Sequence, residues 1–252
     1  MKKHIVAVGM LTLLLSGCVT TTDQPRRQTD PVEARDAYIQ LGLGYLQSGE
    51  TERAKAPLRE ALKLDSRSEA AHVALALVFQ QEGEVRSAEQ HFRSALSAAP
   101  DSSRILNNYG AFLMEQQRYD EALEYFQKAA QDTFYPERSR VFENLGLAHL
   151  RLNQTEDAKA NFERALRLNS RQPMALLELA RLEFDAQNYV PAWNYYLGFT
   201  QLSAQNASSL WLGVQLARRF GDHNRAASYA LQLRRLYPPS PESRALAESG
   251  AS

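Results

Sequence analysis

The chain has a single cysteine, Cys18, so no internal disulfide holds it together and the usual role of cysteine in an exported protein is closed to it. Net charge is missing too. Its 29 basic and 29 acidic side chains cancel, leaving no overall field to draw nucleic acid or an anionic surface. Basic pairs such as Arg218-Arg219 and Arg234-Arg235 read as solvated helix faces. The apolar run from Ile5 to Leu15 is too short to cross a bilayer as a helix. No stretch alternates with period two, which argues against a sheet. The five histidines are scattered without metal spacing, and HExxH, CxxC, GxSxG and P-loop patterns do not occur. Gly42-Leu43-Gly44 lacks the third glycine of a dinucleotide loop. These gaps predict no catalytic residue, metal site, cofactor, nucleic acid or small-molecule substrate.

What is present begins at the N-terminus. Lys2, Lys3 and His4 precede the apolar run, the order of a signal peptide over residues 1–17. The run ends in Leu15-Ser16-Gly17-Cys18. The cysteine is either incidental to the signal or a modification site, and the four residues resemble a bacterial lipobox. That resemblance implies cleavage before Cys18 and a covalent lipid on its thiol, with acyl chains worth about 0.8 kcal/mol per buried CH₂ as the anchor. Val19 follows, where lipoproteins kept in the inner membrane often carry Asp, which implies the periplasmic face of the outer membrane. Residues 18–31 are short, polar and poor in large apolar side chains, and read as a flexible tether. The Pro- and Ser-rich end, residues 241–252, is expected to fray.

Between them lies a repeat. Ala54, Ala88, Ala122, Ala158, Ala192 and Ala226 are spaced 34, 34, 36, 34 and 34 residues apart. Gly42, Ala76, Gly110, Gly146, Ala180 and Val214 keep the same rhythm. Around them recur Leu41, Tyr45 and Leu58, then Phe79, Phe92 and Pro100, then Tyr109, Leu113 and Phe126, at helical spacing. This resembles the tetratricopeptide pattern, in which small residues let two antiparallel helices approach. The expected fold is all-α: a right-handed superhelix of about six helix-turn-helix units over residues 32–240. The units fall near 35–68, 69–102, 103–138, 139–172, 173–206 and 207–240, the sixth being the weakest. Residues 132–140 carry the two-residue insertion.

In such solenoids the first helices line a concave groove. The ladder turns Ile39, Leu43, Leu46, Val73, Leu77, Gln80, Gln81, Arg104, Asn107, Ala111, Arg140, Leu147 and Arg151 towards it. The apolar members in the first two units predict a protein-binding stripe, with packing against the preceding N-terminal segment or another helix as the alternative. Asn108 and Asn144 read as ordinary structural residues of the repeat.

Particular strings go beyond the generic pattern: ARDAYIQLGLGYLQSG at 34–49, LNNYGAFLMEQQRYDEA at 106–122, QDTFYPERSRVFENLGL at 131–147 and YALQLRRLYP at 229–238. They resemble the type IV pilus biogenesis lipoproteins of the PilF/PilW family of pilotins. The resemblance implies a non-enzymatic outer-membrane protein that binds the pilus secretin, brings it to that membrane and promotes its multimerisation. A scaffold for another envelope assembly, such as barrel insertion or cell-wall synthesis, is the alternative, and an enzyme is disfavoured by the missing motifs.

Overall fold

In the computed structural model, residues 30–249 are described; Cys18, the signal segment 1–17 and residues 18–29 of the tether lie outside them. Six helix pairs follow one another: α1 (Pro31–Gln47) with α2 (Thr51–Leu64), α3 (Glu69–Gln81) with α4 (Val85–Ala98), and α5 (Ser103–Glu115) with α6 (Tyr119–Gln131). Then come α7 (Arg138–Arg151) with α8 (Thr155–Leu168), α9 (Pro173–Asp185) with α10 (Tyr189–Thr200), and α11 (Ala207–Arg219) with α12 (His223–Leu236). A last helix, α13 (Pro241–Ser249), closes the order. Among the described residues there is no strand, and the fold is an all-α tetratricopeptide-repeat solenoid.

Helix starts are set locally. The Asp30 carboxylate accepts from the Val32 N–H and Ser68 Oγ from the Ala71 N–H, while Asn206 and Ser209 cap each other's backbone reciprocally. Pro31 and Pro173 sit in first turns, where a missing N–H costs little. Pro57 lies buried inside α2, which runs on through it as one helix.

The turn inside every unit has one geometry. Gly49, Gly83, Gln117, Asn153, Gln187 and Gly221 all adopt left-handed backbone, with φ between 59° and 76°. The next residue donates its N–H back to the carbonyl five positions earlier, as Glu50 does to Tyr45 and Arg118 to Leu113, both at 2.9 Å. This is the Schellman stop that reverses the chain with its last carbonyls satisfied. It supplies a third ladder with the 34-residue rhythm.

Within a pair, the two helices touch at the small residue. A Cβ on Gly110 would stand 2.6 Å from the Phe126 ring, and one on Gly146 would stand 2.5 Å from Phe162. Neither ring is exposed to solvent. From Ala76 to Leu179 the buried side chains form one continuous core, with smaller clusters at either end. Polar clasps tie the seams between units. Lys55 meets Glu82 at 2.7 Å, Arg118 meets Glu89 at 2.9 Å, Asn144 donates to Asn107 at 2.9 Å, and Lys159 meets Glu183 at 2.6 Å. Burial pushes the Glu183 carboxyl up, but the Lys159 ammonium and Asn188 amide outweigh it and hold it below the ordinary carboxylate range.

Two expectations are corrected. The segment 241–249, expected to fray, is helical: Leu246 is buried with Leu210, Val214 and Leu233, and Ser243 Oγ donates to the Tyr237 carbonyl at 2.8 Å. It covers the apolar flank that the sixth unit would otherwise expose. At the opposite end, Tyr38 and Leu41, which the repeat pattern places in the core, are 38% and 49% exposed. Among their counterparts in later units, Leu106 and Phe142 at the position of Tyr38, and Leu75 and Leu145 at that of Leu41, are buried, while His72 in the second unit is half-buried. Those counterparts pack in the seam with the unit before, and no described residue precedes the first unit to supply such cover.

Candidate protein-binding surface

The curvature follows from which helices meet. Along the array α1 packs on α3, α5 on α7, α7 on α9 and α9 on α11, whereas second helices of adjacent units form no close pair. First helices therefore crowd the inner face and second helices splay on the outer one.

The residues expected to line the inner groove divide by depth. Ile39 is 5% exposed and packs with Ala61 and Ala71; Val73 is 3% exposed and packs with Ala95 and Ile105. Asn107 is buried as acceptor to Asn144. These three belong to the seams, so the proposed apolar stripe is shorter than the sequence suggests. A face wide enough to pack against both its partner helix and the next unit buries more positions than a generic helix pattern assigns to the core. Leu43, Leu46, Leu77, Gln80 and Ala111 remain half-buried and reach the groove from one side, and Leu147 does the same. Leu43 and Leu77 each pack against two core clusters. Gln81, Arg104, Arg140 and Arg151 are exposed. The Gln80 side-chain oxygen is buried and takes no hydrogen bond among the described residues.

The most exposed apolar groups lie elsewhere. On α1, Val32 is exposed in the first turn, and Tyr38 and Leu41, one turn apart, form an open edge. In the insertion, Phe134 is 94% exposed, held there by its own N–H to Asp132 Oδ1 at 3.0 Å, by Ser103 Oγ to Asp132 Oδ2 at 2.9 Å, and by Arg138 Nε to the Ala130 carbonyl at 2.8 Å. Its neighbour Tyr135 turns inward onto the core. Sequence reasoning singled out this loop by its insertion and its family-like string, without setting Phe134 apart from its neighbours. It also missed a cleft on α9 and α11, where Arg181, Phe184, Trp211 and Gln215 come together.

Among the described residues, burial shifts the pKa of several titratable groups. Burial raises the Glu143 carboxyl despite the Ala175 N–H, and burial raises Glu178 despite Arg181 and Arg151. His91 stacks on Phe79, with its Nδ1 3.0 Å from that of His72; burial and the facing imidazole lower it to about 4. Among the described residues no three metal-ligating side chains cluster, and no helix is long and apolar enough to cross a membrane.

Helix pairs of this period, with a glycine-on-phenylalanine contact in the middle units and a groove of half-buried side chains, define a tetratricopeptide-repeat protein. Models of that repeat match residues 45–107, 101–171 and 143–207. The chain is 55% identical over 237 residues to the type IV pilus assembly protein PilF of Pseudomonas aeruginosa, covering 93% of this chain and 94% of that one. The structure of P. aeruginosa PilF superposes with a TM-score of 0.86 at 54% identity, covering 87% of this chain and 99% of that one. PilW, a widely conserved type IV pilus biogenesis factor, superposes with a TM-score of 0.74 at 31% identity, over 84% of this chain and 97% of its own. The chain belongs to the PilF family of type IV pilus assembly proteins.

Proposed function

We propose that this chain acts in type IV pilus biogenesis as a non-enzymatic pilotin, lipid-anchored through Cys18 at the periplasmic face of the outer membrane. There it binds the pilus secretin and promotes its multimerisation, and so supports twitching. The family membership supports the pilus role. The observation that carries the binding reading is the open edge of the first unit. The position of Leu41 is buried in every later unit and that of Tyr38 from the third unit on, whereas here Tyr38 and Leu41 are exposed. A client helix laid across α1 would bury them as a preceding unit does, with the half-buried Leu43, Leu46 and Leu77 continuing the contact along the groove. Covering one Leu-sized side chain contributes roughly 1.5–3 kcal/mol, about tenfold to a hundredfold in affinity.

Leu41→Glu in the full-length protein tests this. The variant is expected to melt near the wild-type temperature while secretin multimers in the outer membrane and twitching are lost. Phe126→Ala, in the core, is the control and should cost about 3–5 kcal/mol of stability. Intact secretin multimers in the Leu41→Glu strain would place the client elsewhere.

A further inference from the structure

At the far end of the array, two hollows on the inner face share Phe184, Trp211 and Gln215 and so form one continuous cleft across α9 and α11. The larger hollow, about 460 Å³, is walled by Tyr189, Arg218 and Arg219 and bounded by Ser249 of α13. The smaller, about 220 Å³, adds Arg181, Asp185 and Ser208. Its walls are aromatic: Phe184 meets Tyr189 edge-on with ring centroids 5.6 Å apart, and the Arg219 guanidinium lies 4.2 Å over the Tyr189 ring.

The charge of the cleft is unbalanced. Arg181 stands 3.7 Å from Glu178 and donates to Ser208 Oγ at 2.9 Å, so it is partly answered. Arg218 meets only a neutral hydroxyl, donating to Ser249 Oγ at 2.9 Å, and Arg219 meets only the Tyr189 ring; among the described residues neither pairs with a carboxylate. Two guanidiniums held beside Trp211 and Phe184, with Asp185 the lone acid in the lining, make a site that favours negative charge next to an apolar group. The cleft is open and crosses two units on the face where repeat arrays grip extended chains, a shape suited to a peptide.

We infer that this cleft binds an acidic peptide segment of a partner protein, with a carboxylate clamped by Arg218 and Arg219, an aromatic or large aliphatic side chain on Trp211 and Phe184, and the Gln215 amide on the peptide backbone. The site lies at the other end of the array from Tyr38 and Leu41, so the two readings stand or fall separately.

The test is to pan a random peptide display library against the full chain, then titrate the most enriched sequence as a synthetic peptide. Trp211, one of two tryptophans, reports binding by its fluorescence. Enriched peptides should carry acidic residues beside a large apolar one, and rising salt should weaken them. The double variant Arg218→Gln, Arg219→Gln should bind at least about tenfold more weakly, the loss of a charge-assisted hydrogen bond. Ser249→Ala, which removes the contact to α13 but keeps both charges, should bind as wild type, so that loosening of α13 is told apart from loss of the clamp. The inference is overturned if no sequence enriches, if the enriched sequences lack acidic residues, or if the double variant binds them equally. A single-stranded oligonucleotide that displaces the peptides at lower concentration would also overturn it, in favour of nucleic acid.

Discussion

At the residue scale, the left-handed turn positions separate what the repeat needs from what this sequence supplies. Gln117, Asn153 and Gln187 hold a φ that Gly49, Gly83 and Gly221 adopt without a Cβ clash. Left-handed backbone costs a residue with a side chain roughly 1–2 kcal/mol, part of which glycine returns as chain entropy. Gln117→Gly should therefore raise stability by about 0.5–1 kcal/mol in chemical denaturation, with helical content unchanged. His91 gives a pH signature. Its folded pKa of about 4 lies below the 6.5 of a free histidine, so the unfolded chain takes up a proton first. Stability is unaffected by this group above pH 6.5, falls between there and about 4, and levels off below. His91→Phe should flatten that limb of a melting-temperature profile. The residue scale is also where the sequence was hardest to read. Ile39 and Val73 looked surplus to the core because a helical-period count credits a helix with one buried stripe. In an array each inner helix is packed on several sides. Leu43→Glu and Leu77→Glu would each set a charge against two core clusters, and Leu41 is the cleaner probe.

At the element scale, the all-α solenoid of helix pairs was legible, because the small-residue ladder marks where two backbones must approach. Gly110 and Gly146 are small for that reason, and the ring that would collide with a Cβ is itself part of the pattern, at Phe126 and Phe162. The helix α13 was not legible. PPSPESRALAES has the composition of a loose end, and only the flank of the sixth unit, with Leu210 and Leu233, gives Leu246 a place to be buried. Truncation after Ser240 should lower stability by about 1.5–3 kcal/mol through the loss of that one leucine, and a denaturant titration would show it. A truncation with an unchanged midpoint would mean that α13 contributes nothing to the array.

At the scale of the whole molecule, the proposed lipid anchor would set position in the cell with residues other than those that build the array. The lipobox-like Leu15-Ser16-Gly17-Cys18 precedes the fold and shares no residue with it. Cys18→Ala should therefore leave a protein that folds and melts as wild type but leaves the outer-membrane fraction, because acyl chains are the strong membrane affinity the sequence offers. Fractionation with the variant still at that membrane would show a second means of retention. The groove was legible only as a direction. The sequence pointed to the inner face of the first helices, but the exposed edge of the first unit and the arginine-aromatic cleft on α9 and α11 depend on which flank each terminal unit leaves uncovered.

Among the described residues the sixth unit is closed and the first is open, which gives the solenoid a growth polarity. A helix arriving at Tyr38 and Leu41 continues the lattice, as a monomer adds to the free end of a filament whose other end is blocked. Docking there is then an extra step of the same propagation that folds the chain, and its reward is shared with the first unit, which gains a neighbour. A client of this kind would tighten α1 and α2 as it binds. The strength of its grip would depend on how readily that terminal unit frays when nothing is stacked upon it.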